Sequence, residues 1–370
     1  MTVEPTEPAG SSAVAGAEPQ EVLSPLTSAA VFLVVTVDQG GEAAVRDLLS
    51  DVAGLTRSVG FRAQPEGRLS CVAAIGSDAW DRLFTGPRPA GLHPFRELVG
   101  NVHRAPATPG DLLFHIRAAR QDLCFALAAE IMARLRGSVT VRDEVHGFKY
   151  FDERDLLGFV DGTENPTGAA ARAAVLVADE DPDFTSGSYV IVQKYLHDMT
   201  AWEALPVEEQ ERVIGRRKLS DIELADDVKP ADSHVALTTV TDPDGTERQI
   251  LRDNMPFGAV GRAEFGTYFI GYARTPDVTE TMLERMFLGT ESAAHDRILA
   301  FSTAVTGCLF FAPTTDFLED LPEAPHSPGA EAEVPRAVVV PPSETPSRPA
   351  DTSLGIGSLK RSPLDEQPAP

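Results

Sequence analysis

AAVFLVVTV, residues 29–37, is the stretch on which the fold turns. It is apolar and rich in β-branched side chains, so it predicts a buried strand. It is too short to cross a bilayer, which takes about 20 apolar residues as a helix. Working outward, Glu42–Arg57 carries Val45, Leu48, Leu49, Val52 and Leu55 at helical spacing. Leu69–Ile75 and Asp111–Ala118 predict further strands, Gln121–Arg136 a helix, and Val139–Val145 the opening of a fourth strand. A β-α-β unit followed by a second β-α-β unit is the grammar of a ferredoxin-like α+β domain.

The second half repeats that grammar. Tyr189–Tyr195, Gln249–Asn254, Thr267–Ala273 and Cys308–Ala312 predict strands; Trp202–Ile214 and Val278–Phe287 predict helices. Two halves of similar length imply duplication, although no exact sequence repeat is visible. The expected fold class is α+β, with duplicated ferredoxin-like domains and mixed or antiparallel sheets. The expected boundaries are a disordered segment over 1–24, one domain over 25–150, a second over 151–320, a Pro-rich linker over 321–350 and a tail over 351–370. Eight prolines fall between Leu321 and Ala350, a density that predicts a semi-extended tether.

Composition narrows the function classes. With 32 basic and 56 acidic residues the formal charge is −24, which repels nucleic acid and anionic lipid. The first twenty residues, acidic and without an early apolar core, do not read as a signal peptide. Cys71, Cys124 and Cys308 lie far apart and form no CxxC or CxxCH pattern, which removes a zinc ribbon, an iron–sulfur site and covalent haem attachment. Scattered thiols without a disulfide framework suit a reducing cytoplasm.

Three motifs carry chemistry. GFVDGTENP, residues 158–166, places Asp161 behind the packed pair Phe159 and Val160; the same residue types also make a plain turn. KPADSHVAL, residues 229–237, offers His234, an exposed or structural histidine in the simplest case and an axial haem ligand in the sharper one. In ILRDNMPFG, residues 250–258, a strand would put Arg252 and Asn254 on one face and Asp253 on the other. Arg252 and Asn254 then either meet solvent or need partners in a site.

Taken in this order and at these separations, the three motifs resemble the dye-decolorising peroxidase family, most of all its compact bacterial class, often called type B. The resemblance covers about residues 22–315. It implies a pair of ferredoxin-like domains with one haem b per chain in the C-terminal one. His234 would be the proximal ligand, and Asp161, Arg252 and Asn254 would line the distal face. Asp296, in HDRILAFSTAVTG, is the candidate partner for the ligand histidine, or else only a helix cap. The basic cluster Arg216, Arg217 and Lys218 is either a solvated helix end or a partner for the haem propionates, with Arg217 the candidate for the latter. The implied activity reduces hydrogen peroxide and oxidises dyes, phenolic or Mn(II) donors by way of high-valent haem iron. A haem carrier or an iron-releasing haem protein of the same fold is the alternative, but neither needs both Asp161 and Arg252.

Leu354, Ile356 and Leu359 form an apolar island in the polar tail. SLGIGSLK, residues 353–360, is similar to the loading peptides that direct enzymes into encapsulin shells. That likeness implies an encapsulin shell partner bound through Leu354, Ile356 and Leu359, and a place inside a cytoplasmic encapsulin compartment. The remaining expectations are a homo-oligomer, a small-molecule electron donor, and no nucleic acid or membrane partner.

Overall fold

The structure, a computed structural model, describes residues 17–325. The linker from residue 326 and the tail with Leu354, Ile356 and Leu359 lie outside the described residues, as do residues 1–16. The elements of the first half are β1 (Ala29–Val37), α1 (Glu42–Gly60), β2 (Ser70–Gly76), α2 (Ser77–Leu83), β3 (Leu98–Val99), β4 (Arg104–Ala105), β5 (Leu112–Ala118), α3 (Gln121–Arg134) and β6 (Val139–Phe148). Next come α4 (Gly168–Val175), β7 (Ser188–His197), α5 (Met199–Glu203), α6 (Val207–Ile214), α7 (His234–Thr238), β8 (Val240–Thr241) and β9 (Glu247–Arg248). The chain continues through β10 (Leu251–Arg252), β11 (Met255–Ala259), β12 (Glu264–Ala273), α8 (Pro276–Leu288), β13 (Ser302–Ala304), β14 (Cys308–Ala312) and α9 (Thr315–Glu319).

The main sheet runs β10-β12-β7-β14-β2-β5-β1-β6, with β11 also on β12 and β13 also on β7. Its halves have the same internal order: β2-β5-β1-β6 in one, and β10/β11-β12-β7-β14 in the other. This is the ferredoxin-like arrangement used twice. The halves join where Phe310 and Phe311 of β14 pair with Gly76 and Ile75 of β2. Every pairing in this sheet is antiparallel.

β1 shows why its sequence is apolar at nearly every position. Val31, Leu33 and Val35 face the cluster that holds Leu48 and Leu49 of α1 and Leu127 and Ile131 of α3. Ala30, Phe32 and Val34 face a second cluster, shared with β12. Phe32 stacks on Tyr268 with ring centroids 4.2 Å apart, so the first half packs directly on the strand that leads to the site. A strand covered on both faces has no reason to alternate.

Three local expectations change. The predicted helix over 202–214 is two helices, α5 and α6, parted at Pro206, which has no N–H to give and disfavours helix in the residue before it. Disorder over 1–24 fails from residue 17 onward. Val22 is buried, and the Gln20 amide bonds Ala73 at both N and O and also the Pro313 carbonyl. The linker likewise starts later than Leu321, which packs on the core, while the Pro322 and Glu323 carbonyls accept from Arg46 and Thr85.

A buried ion pair ties the halves together behind the site. Arg117 of β5 donates to Asp253 Oδ2 at 2.5 Å, and both side chains are out of solvent. Arg117→Met is expected to leave that carboxylate buried without its counter-ion and to lower stability by about 3–5 kcal/mol. The check is denaturant unfolding beside Arg117→Met/Asp253→Leu. Removing both charges should cost less than removing one.

Candidate active site

One cleft gathers residues from all three motifs: Asp161 from the loop before α4, His234 from the start of α7, and Arg252 and Asn254 from β10 and the residues after it. The cleft encloses about 1410 Å³, its open mouth included. Its walls are largely apolar, with Leu157, Phe159, Ile214, Ile250, Phe269, Met282, Leu283 and Met286, while Thr238, Thr239, Arg216 and Arg248 add polar groups.

Two histidines line this cleft, and their hydrogen bonds separate their roles. His197 is bonded at both ring nitrogens, Nδ1 to Ser302 Oγ at 2.8 Å and Nε2 to Thr267 Oγ1 at 3.0 Å. Burial pulls its imidazole down to about 4, so it is neutral and fully occupied. His234 uses only Nδ1, paired with Asp296 Oδ2 at 2.7 Å, which leaves Nε2 as the nitrogen open to the cleft. Asp296 is fully buried, and its other oxygen accepts from the Ile298 N–H at 3.0 Å at the start of the turn Arg297–Ala300. The cap and the histidine partner, alternatives in the sequence, are thus one carboxylate using both oxygens.

The Asp161 loop and the Arg252 strand are held reciprocally. Asn254 Oδ1 accepts from the Ile270 N–H at 2.9 Å, taking the place of a backbone carbonyl in the ladder with β12. Its Nδ2 must then turn outward, where it donates to Asp161 Oδ2 at 3.0 Å. Asn165, from the same GFVDGTENP stretch as Asp161, reaches the other way and bonds the backbone N–H and C=O of Arg252. Asp253 points behind the strand to Arg117, so the period-two expectation holds.

Arg217 does not reach the cleft. Its guanidinium is half exposed and pairs with Glu211 at 2.7 Å. A helix ends at Ile214 with Gly215 in the left-handed region, and this turn sends the neighbouring Arg216 inward instead. Arg216 is nearly buried, bonded to Glu164 and to the Asp221 carbonyl. Lys218 meets Gln210 at 2.6 Å.

Two further residues were invisible in the sequence. Asp155 lines the cleft, with Oδ1 accepting from the Phe159 N–H at 2.9 Å. Burial, with the Asp161 carboxylate nearby, pushes its carboxyl up to about 7. Asn165 is the other. Both sit in or just before a motif already singled out, but only the turn over 155–165 reveals their aim.

The donor set tests what such a cleft can hold. Among the described residues no cluster of three or more His, Cys, Asp or Glu could bind a bare ion. One imidazole nitrogen in an apolar slot suffices when a macrocycle supplies the remaining ligands, and a buried carboxylate on Nδ1 is the usual partner of a ligating histidine. Residue types and geometry fit a haem. Beside it stand a carboxylate, which can move a proton, and a guanidinium, which can stabilise developing negative charge. The class so defined is a haem peroxidase on a doubled ferredoxin-like sheet.

Comparison with known proteins agrees. Residues 19–149 match Dyp-type peroxidase, N-terminal, and residues 152–317 match Dyp-type peroxidase, C-terminal. A dye-decolorizing peroxidase of Rhodococcus erythropolis is 63% identical over 93% of this chain and 97% of its own. The encapsulated DyP-type peroxidase of Mycobacterium smegmatis superposes with a TM-score of 0.82 at 63% identity, covering 83% of this chain and 99% of that one. A DypB variant of Rhodococcus jostii RHA1 in complex with heme gives 0.80 at 57% identity, covering 84% of this chain and 100% of that one. The chain belongs to the Dyp-type peroxidase family; it is a dye-decolorising haem peroxidase.

Proposed function

We propose that this chain is a peroxidase of the compact type B class that carries one haem b on His234. It reduces hydrogen peroxide and oxidises dyes, phenolic or Mn(II) donors. The observation that carries this assignment is the convergence on one cleft of His234, backed by Asp296 at 2.7 Å, with Asp161 and Arg252. The bound haem supplies the redox chemistry, and the chain positions and polarises. Nε2 of His234 is the iron donor, and the Asp296 carboxylate on Nδ1 makes the imidazole more electron-rich. Asn254 occupies Asp161 Oδ2, so Oδ1 is the atom that takes a proton from one peroxide oxygen and returns it to the other. Arg252 supplies positive charge where negative charge develops on the leaving oxygen. Of the basic cluster, Arg216 rather than Arg217 lines the cleft, held there by its pairing with Glu164.

The test is a stopped-flow spectrum of the haem-loaded protein mixed with hydrogen peroxide. A rapid spectral change followed by return on adding a phenolic donor is expected. An unchanged spectrum would leave a haem-binding protein without this chemistry.

We further propose that residues 351–370 address the enzyme to an encapsulin shell in the cytoplasm, through Leu354, Ile356 and Leu359. Support comes from the tail sequence and from the encapsulated state of the Mycobacterium smegmatis relative. No helix of the described residues is long and apolar enough to cross a membrane. Each fully buried aliphatic anchor contributes roughly 1.5–3 kcal/mol, less the cost of association, so one tail binds modestly. A homo-oligomer would add avidity by presenting several tails. Deleting 351–370 should abolish packaging while peroxidase activity persists. Co-expression with the shell protein and recovery of intact particles reads this out. Full loading of the truncated enzyme would refute the address. Full loading of Leu354→Asp/Leu359→Asp would refute the apolar anchors.

A further inference from the structure

β10 ends the sheet order on one side, so among the described residues its outer backbone groups have no strand to bond. The Arg252 N–H donates to Asn165 Oδ1 at 2.9 Å, and Asn165 Nδ2 donates to the Arg252 carbonyl at 2.7 Å. One side-chain amide therefore supplies both the acceptor and the donor that a neighbouring strand would present. The turn that delivers it is specific. Gly162, directly after Asp161, has φ +79, and a Cβ there would come within 3.0 Å of Asn165 Nδ2. The Asn165 N–H closes the turn on the Gly162 carbonyl at 3.0 Å.

The Arg252 guanidinium needs such a clamp. Among the described residues no hydrogen bond or ion pair holds it, whereas Arg216 pairs with Glu164 and Arg248 with Asp277. With no tether of its own, its aim depends on where its backbone is held. We infer that Asn165 is a positioning residue for Arg252: its amide stands in for a missing strand on the edge of β10 and fixes the backbone from which the guanidinium enters the cleft. The stitch runs both ways, because Asn254 from the Arg252 segment holds Asp161 from the Asn165 segment.

This rests on the assignment of Arg252 to peroxide activation, so the experiment separates the two. Holoenzyme carrying R252L, N165A, N165D or N165A/R252L is mixed with hydrogen peroxide, and the second-order rate is measured. N165A should slow it by on the order of 10- to 100-fold, the effect of a small misplacement of an aimed group, with haem content unchanged. N165D keeps the size and one bond but sets a carboxylate oxygen against the Arg252 carbonyl, so it should also slow the reaction. In the R252L background, N165A should add less than about twofold, because the group it aims is gone. Hydrogen exchange at the Arg252 amide, which is independent of turnover, should quicken in N165A. If R252L slows the reaction but N165A does not, or if the Arg252 amide exchanges as in wild type, the positioning role is overturned alone. A full N165A loss on top of R252L overturns it too, in favour of general disruption. R252L at the wild-type rate removes the role of Arg252 and this one with it. Should N165A fail to fold, N165D is read by the same criteria.

Discussion

His234→Ala is expected to yield a folded protein that has lost most of its haem. His197, the other histidine of the cleft, cannot substitute, because Ser302 and Thr267 occupy both its ring nitrogens and burial keeps it neutral. Removing only an outer-shell partner of a metal ligand typically costs 10–100-fold in affinity, so removing the ligand should cost more than about 100-fold. Folding should survive, since His234 opens the short helix α7 at the cleft edge rather than sitting in either main core cluster. The measurement is a haem titration followed by Soret absorbance per chain, with and without added imidazole. Imidazole should restore part of the binding by filling the space the side chain left. Haem content and a ferric spectrum equal to wild type would remove His234 from the iron.

Arg252→Leu should slow the reaction with peroxide more than Asp161→Ala does. Three arginines line the cleft, and two are spent: Arg216 on Glu164 and Arg248 on Asp277. Among the described residues, Arg252 is the only cleft arginine without an ion-pair partner, so no other free cation there replaces it. Loss of such a preorganised charge costs on the order of 10²–10³ in rate. Asp161 has a stand-in. Asp155 lines the same cleft, and its carboxyl, pushed up to about 7 by burial, can hold or release a proton near neutrality. Asp161→Ala should therefore fall at the low end of the 10²–10⁴ range for a positioned acid–base group. Stopped-flow second-order rates decide the order. Equal losses would count against an arginine-first site, and a larger loss for Asp161→Ala would give the carboxylate the main role. Asp161→Ala/Asp155→Asn tests the stand-in directly: Asp155→Asn should matter more once Asp161 is gone.

What could be read in advance followed from short-range rules. The run over 29–37 is a strand because β-branched side chains fit a pleat, and its apolar continuity reflects burial on both faces. Arg252 and Asn254 share the cleft because strand side chains alternate, and Asp253 turns away for the same reason. Pro206 splits a helix that apolar spacing alone would carry through, a break that the proline itself announced. Which of the three basic residues faces the cleft was not legible in the sequence. Three consecutive basic residues look alike in sequence, and only the turn after Ile214 decides that Arg216 faces inward while Arg217 meets Glu211.

By itself, the sequence determined the element types, the doubled ferredoxin-like grammar, the three motifs and the candidate ligand. The element types and the grammar depend on residue spacing along a few turns or strands, while the ligand candidate followed from the likeness of the three motifs to one family. Tertiary structure alone decided the rest. It set which edge strands join the halves, that Gln20 and Val22 pack on the sheet, and that His197 is consumed while His234 is open. It also decided that Asn165 and Asn254 stitch two segments 87 residues apart. Those outcomes hang on which hydrogen-bonding groups the folded backbone leaves unpaired, and that is settled only when distant segments meet.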